Sequence, residues 1–511
     1  MRSTFAGLNT MVRGLTTSQL QLDTVGHNIT NTDTEGYSRQ TVNTAATASQ
    51  TIYGFYGSCQ VGTGVNAESI TRARDTYADK QYWQENSTTE YATAKQTAYG
   101  TIESIFDETD SSGLGTILSN FSTAWTKVAN SASDDSVRTN VVKCGTELAT
   151  KINDDVSQLQ DLISTNNTAI ELNVESVNQY TSSIASLNKQ IVQTESTGGS
   201  ANDLRDSRDL LVDKLSALVN VDVTEKSNGS YSITSSGNTL VDGEDYTELA
   251  TTTSQNSNYG VQDVTVVIKS TGTALNATDG KLKGLQEATT EAKSYMDDLG
   301  TMSTYLLTTF NTAHKAGYGL DGTSTGHNFY GDDSTTYSYD STTGEVSAAV
   351  TDSTTSTTTT TTMSLTDVFS ALEVNTLLTG TGGNNYVAAA DETSTSSTLT
   401  ADGDNATTLC NLIGSTKDST LLGGATLEAY YTSSLTALGV DSAAIDRQVS
   451  TQTTIMTQVT DTRESTAGVN SSEELTNMIK YQQAYSASSR CLTTMDEMLD
   501  KLINSTGTVG R

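Results

Sequence analysis

Residues 152–191 read INDDVSQLQDLISTNNTAIELNVESVNQYTSSIASLNKQI, and their spacing decides the architecture. Ile152, Val156, Leu159, Ile163, Asn166, Ile170, Asn173, Val177, Tyr180, Ile184, Leu187 and Ile191 alternate by four and three through nearly six heptads. That rhythm lays one stripe along an α-helix. At about 1.5 Å per residue the stripe runs roughly 60 Å, the length of a rod rather than of a compact-domain helix. Asn166 and Asn173 interrupt it, and buried polar residues of this kind cost stability while selecting register. The helix is expected to stop at the glycine-rich break Ser196–Ser200.

Outward from this rod, a second helix is expected at about 201–219, with others near 283–316 and 424–466. The two chain ends carry the same rhythm. Phe5, Leu8, Val12, Leu15, Leu22 and Ile29 mark one seam, and Leu475, Met478, Gln482, Tyr485, Leu492 and Leu499 the other. Each has about two apolar residues per heptad, a narrow stripe that wants a partner helix. Between the helices the period changes to two. Tyr231–Thr234, Leu240–Gly243 and Val264–Ile268 read as short antiparallel strands, as does the region around Val346–Val350. The expected fold is mainly α with inserted β domains: paired N- and C-terminal coiled-coil helices, an elongated helical-bundle rod, and outer antiparallel-β domains. The expected ranges are 1–40 with 471–511 for the terminal helices, and 41–220 with 281–320 and 417–470 for the rod. The outer, acidic, Thr/Ser-rich part takes 221–280 with 321–416.

Charge follows the same division. With 28 basic and 60 acidic residues the net charge is −32, which opposes sequence-independent binding to nucleic acid or anionic lipid. Residues 316–416 hold twelve acidic residues and no Lys or Arg, whereas 1–40 carry three of each sign and 471–511 carry four basic against five acidic. Near-neutral ends can pack against copies of themselves while an acidic middle stays solvated. There is no proline at all, which suits long unbroken helices. No run approaches 18 apolar residues, so no membrane insertion is expected. The N-terminus lacks the basic-then-apolar pattern of a cleaved signal peptide.

Motifs for chemistry are missing. The three histidines, His27, His314 and His327, sit in no H-E-x-x-H pattern, and neither G-x-S-x-G nor the phosphate-cradling loop occurs. The G-x-G-x-x-G at Gly317, Gly319 and Gly322 follows a helix and enters a polar loop, the reverse of a dinucleotide site. Asp402-Gly403-Asp404-Asn405 lacks the spacing of an EF-hand loop and reads as an acidic turn. Cys59, Cys144, Cys410 and Cys491 are too scattered for a disulfide framework or a zinc site. The expectation is therefore no catalytic residues, no metal and no cofactor.

Three blocks carry a family resemblance. STFAGLNTMVRGLTTSQLQLDTVGHNITNTDTEGYSRQ, residues 3–40, resembles the N-terminal signature of bacterial flagellar axial proteins. Its close, Gly36-Tyr37-Ser38-Arg39-Gln40, resembles that of the FlgK family of hook-associated proteins. SEELTNMIKYQQAYSASSRCLTTMDEMLDKLIN, residues 472–504, is similar to that family's ending, and residues 280–322, with Phe310–Gly317, resemble a third block. Glu35 stands where the family usually has proline. The resemblance implies a structural protein of the hook–filament junction, needed for filament assembly and motility. It also implies self-association into a tubular ring, with hook protein below and the next hook-associated protein above. Secretion would run through the flagellar export apparatus with an export chaperone, without signal cleavage, to the extracellular flagellum. The terminal seams would form the assembly interface. The loop Asn28–Gly36 would be an elbow, Asn28 capping it and Gly36 taking a backbone angle closed to larger residues, with Asn31, Tyr37, Ser38, Arg39 and Gln40 completing the signature. Other readings are the third hook-associated protein, a hook subunit or a surface adhesin.

Overall fold

The computed structural model describes residues 5–54, 57–109, 112–351, 357–391 and 401–505. The portions of the expected terminal and outer ranges that fall in the gaps lie outside the described residues. The chain opens with α1 (Ala6–Thr30), then four strands, β1 (Gln40–Ala46), β2 (Gln50–Gly54), β3 (Gly57–Val61) and β4 (Val65–Arg72). Four helices follow: α2 (Thr76–Ile105), α3 (Leu114–Asn130), α4 (Asp135–Ser196) and α5 (Asn202–Leu218). Next come β5 (Asp222–Glu225), β6 (Tyr231–Ser235), β7 (Asn238–Asp242), β8 (Asp245–Tyr246), β9 (Leu249–Asn256) and β10 (Val261–Ile268). Helix α6 (Lys281–Tyr305) passes through a π turn, Leu306–Phe310, into α7 (Asn311–Ala316). Strands β11 (Thr335–Asp340), β12 (Glu345–Thr351) and β13 (Thr358–Met363) precede α8 (Leu365–Ala371), α9 (Thr376–Thr379) and α10 (Asp404–Gly414). The chain closes with α11 (Leu427–Ala467) and α12 (Ser471–Asp500).

Side-chain caps set the long helices. Asp75, Asp134, Thr426 and Asn470 each accept a hydrogen bond from a backbone N–H in the first turn of α2, α4, α11 and α12, satisfying donors a helix start leaves unpaired. Helix α4, at 62 residues, spans roughly 90 Å and threads two hydrophobic cores. Its residues from Val141 to Ile163 pack with α2, α3 and α6, and those from Ile170 to Ile184 with α5 and strands β5–β10.

The buried face of α4 departs from the sequence seam in its second half. Ile152, Val156, Leu159, Ile163, Asn166 and Ile170 are buried as expected, but Asn173, Tyr180 and Leu187 are half-exposed, and Val174, Thr181 and Asn188 take their places. The steps from Asn166 to Ile170 to Val174 are both four. A helix at 3.6 residues per turn drifts against a 3.5-residue rhythm, and here the face moves by one residue where α4 leaves one core for the other.

The expected outer domain also needs correction. Residues 221–280 form the sheet β5-β6-β7-β8 and the hairpin β9–β10, packed on α4 with Ile233, Leu240, Val241, Leu249 and Val266 buried. Among the described residues of 321–416, many pack into the rod rather than standing outside it. Phe329, Tyr330, Val368, Phe369, Leu372, Leu409 and Ile413 belong to the same core as Phe121, Trp125 and Phe310. Phe329 lies 5.5 Å from Trp125 and 5.7 Å from Phe310 between ring centroids. Its Thr/Ser composition hid a sparse set of large apolar residues that complete the rod. Within the expected helical range 41–220, residues 41–46, 50–54, 57–61 and 65–72 are strands instead, in the antiparallel ladders β1–β4 and β2–β3.

Candidate functional site at the joint of the terminal helices

Helices α1 and α12 pair antiparallel. A Cβ on Gly7 would overlap the Met495 methyl, one on Gly14 would lie 3.6 Å from Ser488 Oγ, and Asn28 Nδ2 donates to Glu474 Oε2 at 3.1 Å. Position 7 meets 495, 14 meets 488 and 28 meets 474, each pair summing to 502, so the register holds over three heptads without slipping. The seam inside the pair is small and polar: Gly7, Gly14, Thr17, Ser18, Thr24, Val25 and Asn28 on α1. On α1 the expected apolar stripe lies to one side of it. Phe5, Val12 and Leu475 are 51%, 42% and 52% exposed. Leu8, Leu15, Leu22, Ile29, Met478, Tyr485, Leu492 and Leu499 are half-buried, and Gln482 is exposed. Helix α1 thus meets α12 through small side chains, Gly7 and Gly14 among them, and leaves much of its own apolar surface on the outside.

The signature residues converge below this pair. Asn28 lies inside α1 rather than capping the elbow. Its Nδ2 donates to Gln40 O at 2.9 Å as well as to Glu474, and its Oδ1 accepts from Gln40 N at 2.9 Å and from the Tyr37 hydroxyl at 2.7 Å. The side chain pairs with Gln40 as a neighbouring strand would, and all four of its hydrogen-bonding positions are filled. Asn31 ends the helix, its Nδ2 donating to His27 O at 3.0 Å. Gly36 takes φ 79°, the left-handed angle expected of it, with Leu210 Cβ only 3.0 Å from where a Cβ would stand. Tyr37 stacks edge-on against His27 at 5.4 Å. Burial, and then Asp203, Asp206 and Glu474, hold its phenol well above the ordinary range.

From there the chain locks onto the rod. Ser38 N donates to Asp206 at 3.1 Å, Gln40 Nε2 to Asp203 at 2.8 Å, and Arg39 N to Ala467 O at 2.9 Å, where the incoming and outgoing chains cross. Arg72 donates to Asp206 at 2.6 Å and Asp209 at 2.8 Å. Arg74 grips Asp79 through Nε and Nη2 at 3.0 and 2.7 Å. Arg463 bridges Asp79 at 3.0 Å and Asp213 at 2.6 Å, lying 4.3 Å over the Tyr82 ring, while Trp83 Nε1 donates to Asp213 at 2.7 Å. Fully buried Arg208 lies 3.3 Å over Tyr231 and 3.8 Å from Asp209. Arg72, Arg74, Arg208 and Arg463 balance Asp79, Asp206, Asp209 and Asp213.

The pKa directions follow from this enclosure. Burial pushes the carboxyls of Asp206 and Asp213 up, even beside Arg72 and Arg463. At Asp209 burial opposes ionisation too, but Arg72, Arg74 and Arg208 together outweigh it and hold the group below the usual carboxylate range. Such a balanced buried network costs desolvation and returns geometry. It clamps α2, β4, α5 and α11 at one point and fixes how the terminal pair leaves the rod.

Sequence reading did not pick out this clamp, although a signal was there. Asp203, Asp206, Asp209 and Asp213 recur at three, three and four, a stripe of like charge on one helix face that is unfavourable unless cations arrive from elsewhere. Arg72, Arg74 and Arg463 are those cations. Elsewhere, Asp402 and Asp404 of the acidic turn come together with Asp391, their ligand atoms within 4.8 Å of one another, near the surface. Among the described residues no helix is long and apolar enough to cross a membrane.

Comparisons with known proteins agree with this geometry. The family description "Flagellar hook-associated protein FlgK helical domain" matches residues 99–330, and two flagellar basal-body rod descriptions match 8–37 and 460–505, the terminal helices. Flagellar hook-associated protein 1 of Bacillus subtilis is 30% identical over 550 residues, covering 100% of both chains. The chain belongs to the flagellar hook-associated protein 1 family. The Escherichia coli hook-associated protein 1 is 27% identical, covering 97% of this chain and 99% of the relative. The structure of the flagellar hook junction protein FlgK from Burkholderia pseudomallei superimposes with a TM-score of 0.59 at 19% identity, over 76% of this chain and 100% of the other, a likeness of fold. Within this hook-associated protein family, the rod-type matches fall on α1, α11 and α12, and the FlgK-type match on the helical rod.

Proposed function

We propose that this chain is a structural subunit of the flagellar hook–filament junction and that copies join through the α1–α12 pair. One observation carries the second half of that reading: the pair leaves Phe5, Val12, Leu475 and Ile479 exposed. Apolar side chains held outside a helix pair are surface for a neighbour. The assembly interface would then be the stripe Phe5, Leu8, Val12, Leu15, Leu22, Ile29 on α1 with Leu475, Met478, Gln482, Tyr485, Leu492 and Leu499 on α12. The joint below it sets the angle between the tube wall and the outer rod. In this reading, copies form a tubular ring with hook protein beneath and another hook-associated protein above. They reach that place through the flagellar export apparatus, with a chaperone and without signal cleavage.

The test is a deletion strain. Cells lacking the chain should carry hooks without filaments by electron microscopy, and the intact chain should restore filaments. Leu15→Asp or Leu492→Asp should fail to restore them while the rod stays folded by circular dichroism. Filaments in the deletion strain would refute the junction role, and full rescue by both Asp variants would refute the interface.

A further inference from the structure

The clamp below the terminal pair contains two buried charges that the chain's own groups only half satisfy. Arg208 and Asp209 are 0% and 1% exposed. Nη1 of Arg208 donates to Asn188 Oδ1 at 3.0 Å and to Gly229 O at 2.8 Å, and the Tyr231 ring lies 3.3 Å from the guanidinium carbon. Among the described residues, however, its Nε and Nη2 meet no acceptor and Asp209 Oδ1 meets no donor. The second carboxylate oxygen is occupied, Oδ2 accepting from Arg72 at 2.8 Å and lying 3.8 Å from Arg74.

Buried donors and acceptors left in this state are costly, and native structures satisfy them with protein groups or with enclosed water. Here the three atoms lie together. Arg208 Nε is 3.8 Å from Asp209 Oδ1, too far for a direct hydrogen bond and right for one intervening atom at about 2.8 Å from each. Nε and Nη2 form one side of the rigid guanidinium fork, so their N–H bonds run the same way.

Chemistry selects the molecule that fits. It must accept from two donors and donate to a carboxylate through a single heavy atom. Chloride only accepts and would face the Asp209 charge, while ammonium or a metal ion would face Arg208. Water is neutral, does both, and would make the three hydrogen bonds usual for an enclosed water. We infer that the clamp binds one enclosed water between Arg208 Nε, Arg208 Nη2 and Asp209 Oδ1. Its place gives it a role. Arg208 is anchored outward, on Asn188 of α4 and on Gly229 in the turn between β5 and β6. Asp209 is anchored toward the joint, on Arg72, whose partner across the β1–β4 ladder is Gln40, the residue held by Asn28. The water ties the side chains of these two halves, so that a polar path runs from the outer sheet to the first terminal helix.

The native full chain is the sample for the test. A crystal structure that resolves ordered water, from crystals grown with bromide, should show density about 2.7–3.2 Å from Arg208 Nε and Asp209 Oδ1, without anomalous signal at the bromine edge. A direct Nε–Oδ1 hydrogen bond with no density between them overturns the inference, and so does an anomalous peak, which would mean a bound halide. A second measurement works in solution. Oxygen-17 relaxation dispersion counts long-lived enclosed waters, and Arg208→Met should hold one fewer than the native chain at unchanged circular dichroism. Asp209 keeps Arg72 and Arg74 in that variant. Equal counts overturn the inference, and if the Met variant does not fold, the native crystal decides.

Discussion

Asn28 and Glu474 lie 446 residues apart in the chain and 3.1 Å apart in the fold. That single contact joins the first helix to the last, and the same Asn28 side chain holds both backbone groups of Gln40. Asn28→Leu should therefore remove four hydrogen bonds and bury the Gln40 groups unpaired, at about 1–3 kcal/mol for each unsatisfied group. Glu474→Gln keeps an acceptor facing Asn28 and should cost far less. Hydrogen exchange of α1 amides reads the difference: fast exchange in the Leu variant, near-normal exchange in the Gln variant.

Arg463 offers a second measurement. Removing it as Arg463→Met leaves Asp213 buried with Trp83 as its neutral donor and costs Asp79 one of its two arginines. Breaking a buried pair this way costs about 3–5 kcal/mol. Adding Asp213→Asn should recover much of that loss, because the orphaned charge is gone. Chemical denaturation of the two variants should show the double substitution more stable than the single one.

His314 and Asp155 pull stability in opposite directions across the same pH window. His314 Nε2 accepts from Ala388 N–H at 3.1 Å, so Nδ1 carries the proton and donates to His327 O at 2.8 Å. Complete burial lowers its pKa to about 4, below the unfolded value. The unfolded state binds more protons between the two, and stability present above the unfolded pKa is lost as pH falls toward 4, by roughly 3 kcal/mol. Asp155 is the reverse: burial raises its pKa to about 6 in spite of Lys151. The native state then binds the extra proton, and stability falls as pH climbs from the unfolded pKa to 6, by roughly 3 kcal/mol. Intact protein should show a shallow dependence between pH 4 and 6. Asp155→Asn should expose the histidine's steep acid loss in melting curves.

Gly26 separates folding from assembly. Nothing lies within 4 Å of where its Cβ would be, so Gly26→Ala should stabilise α1 by about 0.8–1 kcal/mol through helix propensity alone. Gly26→Leu should leave the monomer's melting midpoint close to that of Gly26→Ala. Gly26 falls between Leu22 and Ile29 on the proposed interface stripe, however, so the leucine occupies a neighbour's space and should block incorporation at the hook tip. Normal filaments from the Leu variant would place the interface elsewhere.

The range 321–416 gives a prediction opposite to the one its composition invites. Replacing it with a short linker strips Phe329, Tyr330, Val368, Phe369 and Leu409 from around Phe121 and Trp125. Loss of even one such side chain costs about 3–5 kcal/mol. The shortened chain should show no cooperative melt and a water-exposed tryptophan emission. A native-like melt would mean that the remaining core closes without these residues.

The helices were legible because their signal is periodic. Ile152 to Ile170 repeat the seam regularly enough that side-chain identity alone locates the buried face. From Val174 onward the partners change, and only the neighbours, α5 and the sheets, explain the one-residue shift. Gly36 was legible because its backbone angle has few other occupants. Asn28 was found but its role was not, since filling four hydrogen-bonding positions depends on Gln40, Tyr37 and Glu474 arriving from three directions. The arginine–aspartate clamp was missed for the same reason: Arg72, Asp209 and Arg463 are brought together by tertiary packing, and charge patterns on one helix do not name their partners. Phe329 and Tyr330 were overlooked because two aromatics in a Thr-rich stretch leave no periodic trace.

The register in which 7 meets 495 and 28 meets 474 also imposes an order of events on synthesis. Helix α1 leaves the ribosome more than 400 residues before α12, so the pair can close only once α12 has been made. A chain cut short by premature termination or by a protease beyond Ala467 would keep its rod but offer α1 no partner, with the Asn28 amide left without its acceptor on Glu474. On the proposed interface, α12 thereby acts as a gate, admitting to the growing structure the chains that carry it and leaving fragments behind.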